Sequence, residues 1–469
     1  MGLSEKHVHL IGVGGTGMSG AAGVMLREGI HVTGSDAQAS DVTARLETMG
    51  AKICIGNRAE NLPADTELVV ISAAIKPDNP ELAEAVRRGI PVLKYAQVLG
   101  RLMKQFKGIA ISGTHGKTTT TAMTACILRE AGLDPSFVVG ATVGGLGGSS
   151  GAGTGEHFVV EACEYDRSFL NIHPWVAVIN NIEEDHLDYY HDLAEIVGAF
   201  GQFASQVESD GLLLVNGGDP RALEAARRAA CEVQIFAVEQ PADWQATRLE
   251  ESCGKFSFEA SHRGKSLGRF ELGIPGRHNV GNALAAIACA RRAGVDPAVA
   301  ARVLAGFHGA DRRFQKIGEV KGITIIDDYA HHPTEIRVTL DAARKFFAAR
   351  RIWTIFQPHQ HSRTRFFLDE FAESFTHTDV VIVPGIYFVR DSEADRRAVT
   401  AEDLVRKMKT LHRDARHIKE FDEIVEVLKK ELKPGDVVIT MGAGDVNQVG
   451  QRLLKALAND EQSFLRLAC

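Results

Sequence analysis

Long hydrophobic runs are missing from this 469-residue chain. No segment approaches the roughly 20 consecutive apolar residues that cross a bilayer, so membrane insertion is not expected. Residues 1–10 are polar and then strand-like, without the apolar core of a signal peptide, and a cytoplasmic location is expected. Positive charge is also scarce. The 53 Lys and Arg are outnumbered by 60 Asp and Glu, the formal net charge is −7, and no long basic run occurs, which argues against nucleic acid as the partner. Cysteine is sparse and scattered, at positions 54, 126, 163, 231, 253, 289 and 469, odd in number and without CxxC spacing. Reduced thiols fit this pattern better than disulfides or a zinc site.

What remains is ordinary globular material, 45% hydrophobic and 24% charged. The length exceeds one core, and roughly three domains is the natural division. Apolar runs at His7–Ile11, Leu68–Ile71 and 91–93 alternate with helical patterns, which predicts a doubly wound parallel sheet. A basic, helix-like stretch, 99–107, leads into a second set of strands at 108–111, 158–161, 176–180 and 212–215. Between them, the glycine-rich segment 140–155 reads as a flexible loop, either a linker or a substrate lid. Charge alternation over 252–272 suggests antiparallel strands, and a third region beginning near Asp311 carries runs at 323–326, Ile352–Phe356, Val380–Val383 and 437–440. The expected architecture is α/β, three domains in series: 1–104, 105–310 and 311–469.

The most informative motif is Ile111-Ser112-Gly113-Thr114-His115-Gly116-Lys117-Thr118-Thr119, placed between a strand and a helix. Glycines turn backbone N–H groups inward and the helix N-terminus adds partial positive charge, so polyphosphate oxygens are cradled. Lys117 can reach terminal phosphates and the Thr118 hydroxyl can hold Mg²⁺. Isoleucine at 111 replaces the first glycine of the full pattern, which makes this a shortened phosphate loop.

Nearer the N-terminus, Gly12-Val13-Gly14-Gly15-Thr16-Gly17 follows a strand, and Asp36 ends the next one. Such glycines admit a pyrophosphate, and the acid can meet a ribose or base edge. NAD is the usual occupant, yet any nucleoside diphosphate offers the same group. Glu161 ends a strand beside the phosphate loop, where a carboxylate usually holds Mg²⁺. The run Glu183-Glu184-Asp185-His186, also beyond a strand, is either a solvated acidic turn or a second metal site. Asn282, expected in the first turn of a helix after Pro275-Gly276, can pair with an adenine edge or cap the helix. Arg312 and Arg313 open the third region, where one could reach a γ-phosphate. Two further runs, 327–335 and 356–365, follow strands and carry Tyr329, His331, His359, Gln360 and Arg363 to a ligand crevice. No Cys or HExxH-type spacing supports zinc among these histidines.

Taken in order, GVGGTGMSG, GTHGKTTTT, NIEEDHLDYY, GRHNVGNALAA, RRFQ, DDYAHHPTE and FQPHQHSRTR span almost the whole chain. In this combination the chain resembles the Mur ligases, the amino-acid-adding enzymes of peptidoglycan synthesis. The resemblance implies an N-terminal Rossmann-like UDP-binding domain, a central P-loop ATPase-like domain and a C-terminal Rossmann-like domain with the amino-acid pocket. It implies a monomer or weak homodimer acting on UDP-N-acetylmuramate, ATP and L-alanine, with Mg²⁺. Under it, Gly12, Gly14, Gly15, Gly17 and Asp36 grip the UDP-sugar, and His115 approaches the muramyl carboxylate. ATP falls to Gly113, Thr114, His115, Gly116, Lys117, Thr118 and Thr119, with Asn282 at the adenine, Arg313 at the γ-phosphate and Asp328 at the ribose. Thr118, Glu161 and His186 are the implied metal ligands. Tyr329, His331, His359, Gln360 and Arg363 form the implied amino-acid pocket, and Lys117, His186, His331 and Arg363 the implied catalytic set, with His331 either a base or a clamp.

Two stretches depart from the family pattern. Residues 162–166 read ACEYD, with Cys163 and Tyr165 where the family usually shows aspartate and serine. Gln360 stands where arginine is usual, so a neutral amide replaces one cation of a carboxylate clamp, and L-alanine, glycine and L-serine stay open as substrates. No lysine occurs between His186 and Lys255, which excludes the carbamylated lysine that several sister ligases use there. The rival activities are a related ligase that adds a tripeptide to the same sugar nucleotide, a NAD-dependent oxidoreductase, and a non-catalytic UDP-sugar sensor. An intact Lys117-Thr118 opposes the sensor, and missing hydride-transfer machinery opposes the oxidoreductase.

Overall fold

The computed structural model describes residues 3–411 and 414–467, with side chains to 459. Cys469 lies outside the described residues. Three sheets follow one another along the chain. The first is fully parallel, in the order Lys52–Ile55, His31–Asp36, His7–Ile11, Leu68–Ile71, Val92–Lys94. Its central strand, with a burial pattern of five buried residues in five, runs directly into the glycine motif. The chain order reverses beside that strand, which opens the crevice where ligands of such sheets bind.

The second sheet has ten strands, and the phosphate-loop strand Lys107–Ser112 sits between Val176–Ile179 and His157–Glu161. Both neighbours are parallel to it, so their acidic carboxyl ends converge on the loop. At one edge, Trp244–Ser252, Lys255–His262 and Lys265–Pro275 pair antiparallel, as the charge alternation suggests. The third sheet runs Gln315–Val320, Ile323–Asp328, Val437–Met441, Ile352–Phe356, Val380–Val383, Asp414–His417, parallel except for the first strand. The α/β class and the three-part series are the expected ones. Among the described residues, no helix is long and apolar enough to cross a membrane.

Three local expectations are corrected. The segment 140–155 is not a loop or lid: Ser136–Val143 and Gly148–Gly151 form an antiparallel hairpin at the far edge of the second sheet. It packs on helix Thr16–Arg27 of the first domain, where a Cβ at Gly20 would stand 2.6 Å from Val138. Small residues here permit close backbone approach rather than flexibility. The basic stretch is split, because helix Tyr95–Met103 ends within it and Lys107 already belongs to the phosphate-loop strand. Helix His278–Arg292 begins early enough to put Asn282 in its second turn.

The first two domains share one apolar cluster, with Met18, Ala21, Val98 and Leu102 packed in continuity with Val138, Phe158, Phe169 and Phe200. Gly100 lets helix Tyr95–Met103 lie against the Tyr165–Asn171 turn, because a Cβ there would collide with the Asn171 carbonyl. Gly198, inside helix Leu193–Ser205, faces nothing within 4 Å. The two glycines therefore respond oppositely to the same change. Gly100→Ala should destabilise by about 1–3 kcal/mol through overpacking, and Gly198→Ala should stabilise by roughly 0.5–1 kcal/mol through helix propensity. Melting curves of the two variants check the signs; equal shifts would contradict this packing.

Candidate active site

The phosphate loop is held in shape by the neighbouring strand end. Gly113 adopts φ 135°, and a Cβ there would stand 2.9 Å from the Asn180 side chain. The Thr114 N–H donates to the Asn181 carbonyl (3.0 Å) and the His115 N–H to Asn181 Oδ1 (2.7 Å). Gly116, at φ 79°, precedes helix Lys117–Glu130. Lys117 Nζ donates to the Gly113 and Thr114 carbonyls at 2.5 and 3.0 Å and lies 3.0 Å from both oxygens of buried Glu164. Burial opposes its charge, but Glu164 more than compensates and raises the lysine pKa, so the ammonium is firmly cationic.

Around this loop lies a cleft between the second and third sheets. Thr118, Thr119, Asn282, Arg313 and Asp328 line it together with His115 and Gly116. Arg313 Nη2 donates to Thr118 Oγ1 at 3.2 Å, which brings the third domain onto the phosphate loop. The Asn282 amide donates to Asn279 Oδ1 at 2.9 Å, and both asparagines face the cleft. Asp328 accepts from the backbone N–H groups of Phe314 (2.7 Å) and Ala330 (2.8 Å), and burial pushes its carboxyl up to about 6. The Tyr329 ring carries the Arg312 and Arg313 guanidinium groups at 5.1 and 4.9 Å and meets the His331 ring edge-on at 5.3 Å.

Next to Lys117 stand the metal candidates. Glu161 accepts from the Gly140 N–H at 2.6 Å, a contact the absence of a Cβ permits. His186, at φ 55°, has Nε2 3.8 Å from Glu164 and 3.9 Å from Asp185, while its Nδ1 is buried without a partner. Hard carboxylates, the Thr118 hydroxyl and this unpaired nitrogen suit a small divalent cation. Tyr165, one of the family departures, lies tilted against His186 with ring centres 4.9 Å apart and receives the Arg390 guanidinium at 4.5 Å.

Two histidines of opposite character follow. His115 lies 3.1 Å from Glu335 and 3.4 Å from Glu183. Burial works against its charge, but the two carboxylates win and raise its pKa to about 9. His331 is pushed down to about 3 by burial, with Glu335 only partly opposing, and its Nδ1 lies 3.1 Å from the Tyr329 carbonyl. It is a neutral imidazole with Nε2 as the lone-pair nitrogen.

The remaining candidates gather on the loop after Phe356. Arg363 Nη2 donates to Asp185 Oδ1 at 2.5 Å, and Nη1 lies 3.4 Å from His359 Nδ1. His359 stacks on Tyr387 (5.4 Å) and is pushed down to about 4 by burial and by Arg363. Gln360, at φ 71°, is 1% exposed, and its Nε2 has no partner. Asp185, His186, Gln360 and Arg363 thus line one small pocket. In the first domain, Gly12, Gly14, Gly15 and Gly17 carry the chain from His7–Ile11 into helix Thr16–Arg27, and the Gly14 N–H donates to Asp36 Oδ2 at 2.9 Å. Glu164, Asp185, Glu335 and Asn279 were not singled out from sequence. All four did lie inside quoted motif runs, the only signal available for them.

The His115 bridges carry a pH signature. A histidine raised to about 9 contributes stability in full below its unfolded value near 6.5, and loses it as pH rises through 9. Glu183, lowered to about 2, contributes above its ordinary 4.5 and loses it as pH falls through 2. The melting-temperature gap between the wild type and His115→Gln should therefore be largest near pH 5–6 and vanish above about pH 9. A gap independent of pH would contradict the bridge.

Comparison with known proteins accords with this geometry. Residues 7–107 match the Mur ligase family catalytic domain, 111–290 the Mur ligase middle domain, and 312–444 the Mur ligase glutamate ligase domain. A protein of Alkaliphilus metalliredigens named UDP-N-acetylmuramate–L-alanine ligase is 44% identical over 451 residues, covering 96% of this chain and 97% of that one. A protein of the same name from Caldanaerobacter subterraneus is 43% identical over 454 residues, covering 96% and 97%. The crystal structure of a UDP-N-acetylmuramate–alanine ligase from Thermotoga maritima superposes with TM-score 0.80 at 28% identity, covering 97% of this chain and 99% of the other. That of a murein peptide ligase from Psychrobacter arcticus gives 0.72 at 29%, with the same coverage. This chain belongs to the Mur ligase family.

Proposed function

We propose that the protein is a cytoplasmic, ATP-dependent ligase that joins L-alanine to the carboxylate of UDP-N-acetylmuramate in peptidoglycan precursor synthesis. The observation that carries this reading is the Arg313–Thr118 contact beside Lys117 and Glu164, with the Arg363 pocket on the same side of the third domain. The relatives named for this reaction, at 42–44% identity over nearly the full chain, support the substrates. The units would be 1–104 for the UDP-sugar, 105–310 for ATP and 311–469 for the amino acid.

A carboxylate is a poor electrophile, so amide formation in water needs a better leaving group. The muramyl carboxylate oxygen attacks the γ-phosphorus of ATP, and ADP leaves with the bridging electrons. The resulting acyl phosphate is attacked at its carbonyl by the neutral amine, and inorganic phosphate departs as hydrogen phosphate with the proton the amine loses. Lys117 and Arg313 neutralise charge on the transferring group, with ATP phosphate displacing Glu164 from Lys117. His115, cationic and inside the cleft, would hold the acceptor carboxylate. A group with as little proton affinity as His331 accepts a hydrogen bond from the amine and orients it, which favours a clamp over a base. Arg363 retains Asp185 as its counter-ion, so the amino acid's carboxylate would share that guanidinium, and the unpaired Gln360 amide would donate to it. When bound, Mg²⁺ would supply Lewis-acid charge neutralisation on the phosphates, held by Thr118, Glu161 and His186 with Glu164 adjacent.

Phosphate release with ATP, UDP-N-acetylmuramate and each of L-alanine, glycine, L-serine and a tripeptide tests the proposal. L-alanine should give the highest kcat/KM, and Lys117→Ala, folded by its melting curve, should lose about 10²–10³-fold in rate. Preference for the tripeptide would reassign the chain to the recycling branch, and a near-normal Lys117→Ala rate would remove the ATP site.

A further inference from the structure

The opposite end of the first sheet carries a second cluster with metal-ligand chemistry. His7 and His31 are register partners at the first positions of adjacent parallel strands, their rings 4.2 Å apart. Asp65, on the loop before Leu68–Ile71, reaches His7 Nδ1 at 3.1 Å. One ligand atom from each of the three residues lies within 4.8 Å of the other two. The strand His7–Ile11 separates this cluster from the glycine motif by roughly 15 Å at ~3.3 Å per residue, so it is not part of the nucleotide crevice.

A chain of buried polar contacts backs His7. Fully buried Glu81 lies 2.8 Å from His9 Nε2, and His9 Nδ1 lies 2.9 Å from the Thr33 hydroxyl. The same Thr33 oxygen lies 3.1 Å from His7 Nε2. Thr33 thus occupies the inner ring nitrogen, and with the ring proton on that side His7 Nδ1 presents its lone pair to the cluster. That nitrogen is on a residue only 4% exposed, has no hydrogen-bond partner, and faces a carboxylate oxygen. A lone pair against an anion is repulsive unless a cation stands between them.

We propose that His7 Nδ1, His31 and Asp65 bind one divalent transition-metal ion of the Zn²⁺ class. Two imidazoles and one carboxylate are the donor set such ions take, and the Thr33 hydroxyl is the outer partner that fixes the ligating tautomer. Ligands about 2.0–2.1 Å from a tetrahedral ion stand roughly 3.3 Å apart, close to the His7–Asp65 spacing. His31 and Asp65 are exposed and can close the remaining gap, with water in the fourth position. The second cluster of this kind, His115, Glu183 and His332, belongs to the active-site cleft and is a separate competitor for metal.

The test uses the full chain without a histidine tag, stripped of metal and titrated with Co²⁺, whose visible absorption reports four-coordinate binding. Wild type and His186→Ala should both bind one equivalent at this site. His31→Ala and Asp65→Asn, changes at exposed side chains, should lose that band or weaken binding by more than about tenfold, and Thr33→Val should weaken it about tenfold. No four-coordinate band in the wild type, or an unchanged one in His31→Ala and Asp65→Asn, would overturn the site and leave a proton shared by His7 and Asp65.

Discussion

Four successive residues beyond the strand Val176–Ile179 each hold a different partner. Glu183 takes the Thr334 hydroxyl (2.7 Å) and faces His115, the Glu184 carbonyl lies 3.0 Å from His332 Nε2, Asp185 pairs with Arg363, and His186 turns toward Glu164. Three of these four residues tie the second sheet to the third. Buried charges are costly to desolvate, and ion pairs of this kind seldom add much net stability. Their value is positional: the turn fixes where the loops after Asp328 and Phe356 meet the phosphate loop. Arg313 on Thr118 completes the junction from the other side.

Convergence of this sort answers the chemical problem of the reaction. An acyl phosphate is exposed to hydrolysis, so the amine must meet it in a site from which water is displaced. The junction puts a cationic lysine, a cationic histidine and a neutral histidine within one enclosed region, each with its protonation state set by a different neighbour. Glu164 keeps Lys117 charged, Glu183 and Glu335 keep His115 charged, and burial keeps His331 neutral. A carboxylate donor and an amine acceptor need these opposite environments a short distance apart.

Much of the architecture was legible because its signals are local. The runs His7–Ile11, Leu68–Ile71, Ile352–Phe356 and Val380–Val383 have the strand limits their apolar stretches suggest, and the motif loops fall beyond strand ends except at Arg312–Arg313, which follow helix Pro297–Ala305. The hairpin at 140–155 was not legible, since glycine and serine read as loop while its reasons lie in pairing with Ser136–Val143 and packing on a helix far earlier in the chain. The start of helix His278–Arg292 carries no side-chain cap, so nothing marked Asn282 as second-turn. The partners Glu164 of Lys117 and Asp185 of Arg363 were equally hidden. Each is one acid in a run of acids, and only the tertiary fold selects it.

The acyl phosphate can be followed by its oxygen. UDP-N-acetylmuramate labelled with ¹⁸O in the muramyl carboxylate, incubated with ATP and L-alanine, should release inorganic phosphate carrying one ¹⁸O per turnover, because the attacking carboxylate oxygen leaves with phosphorus. Phosphate free of label, with both ¹⁸O atoms retained in the sugar nucleotide or released to water, would contradict activation of the carboxylate at this site.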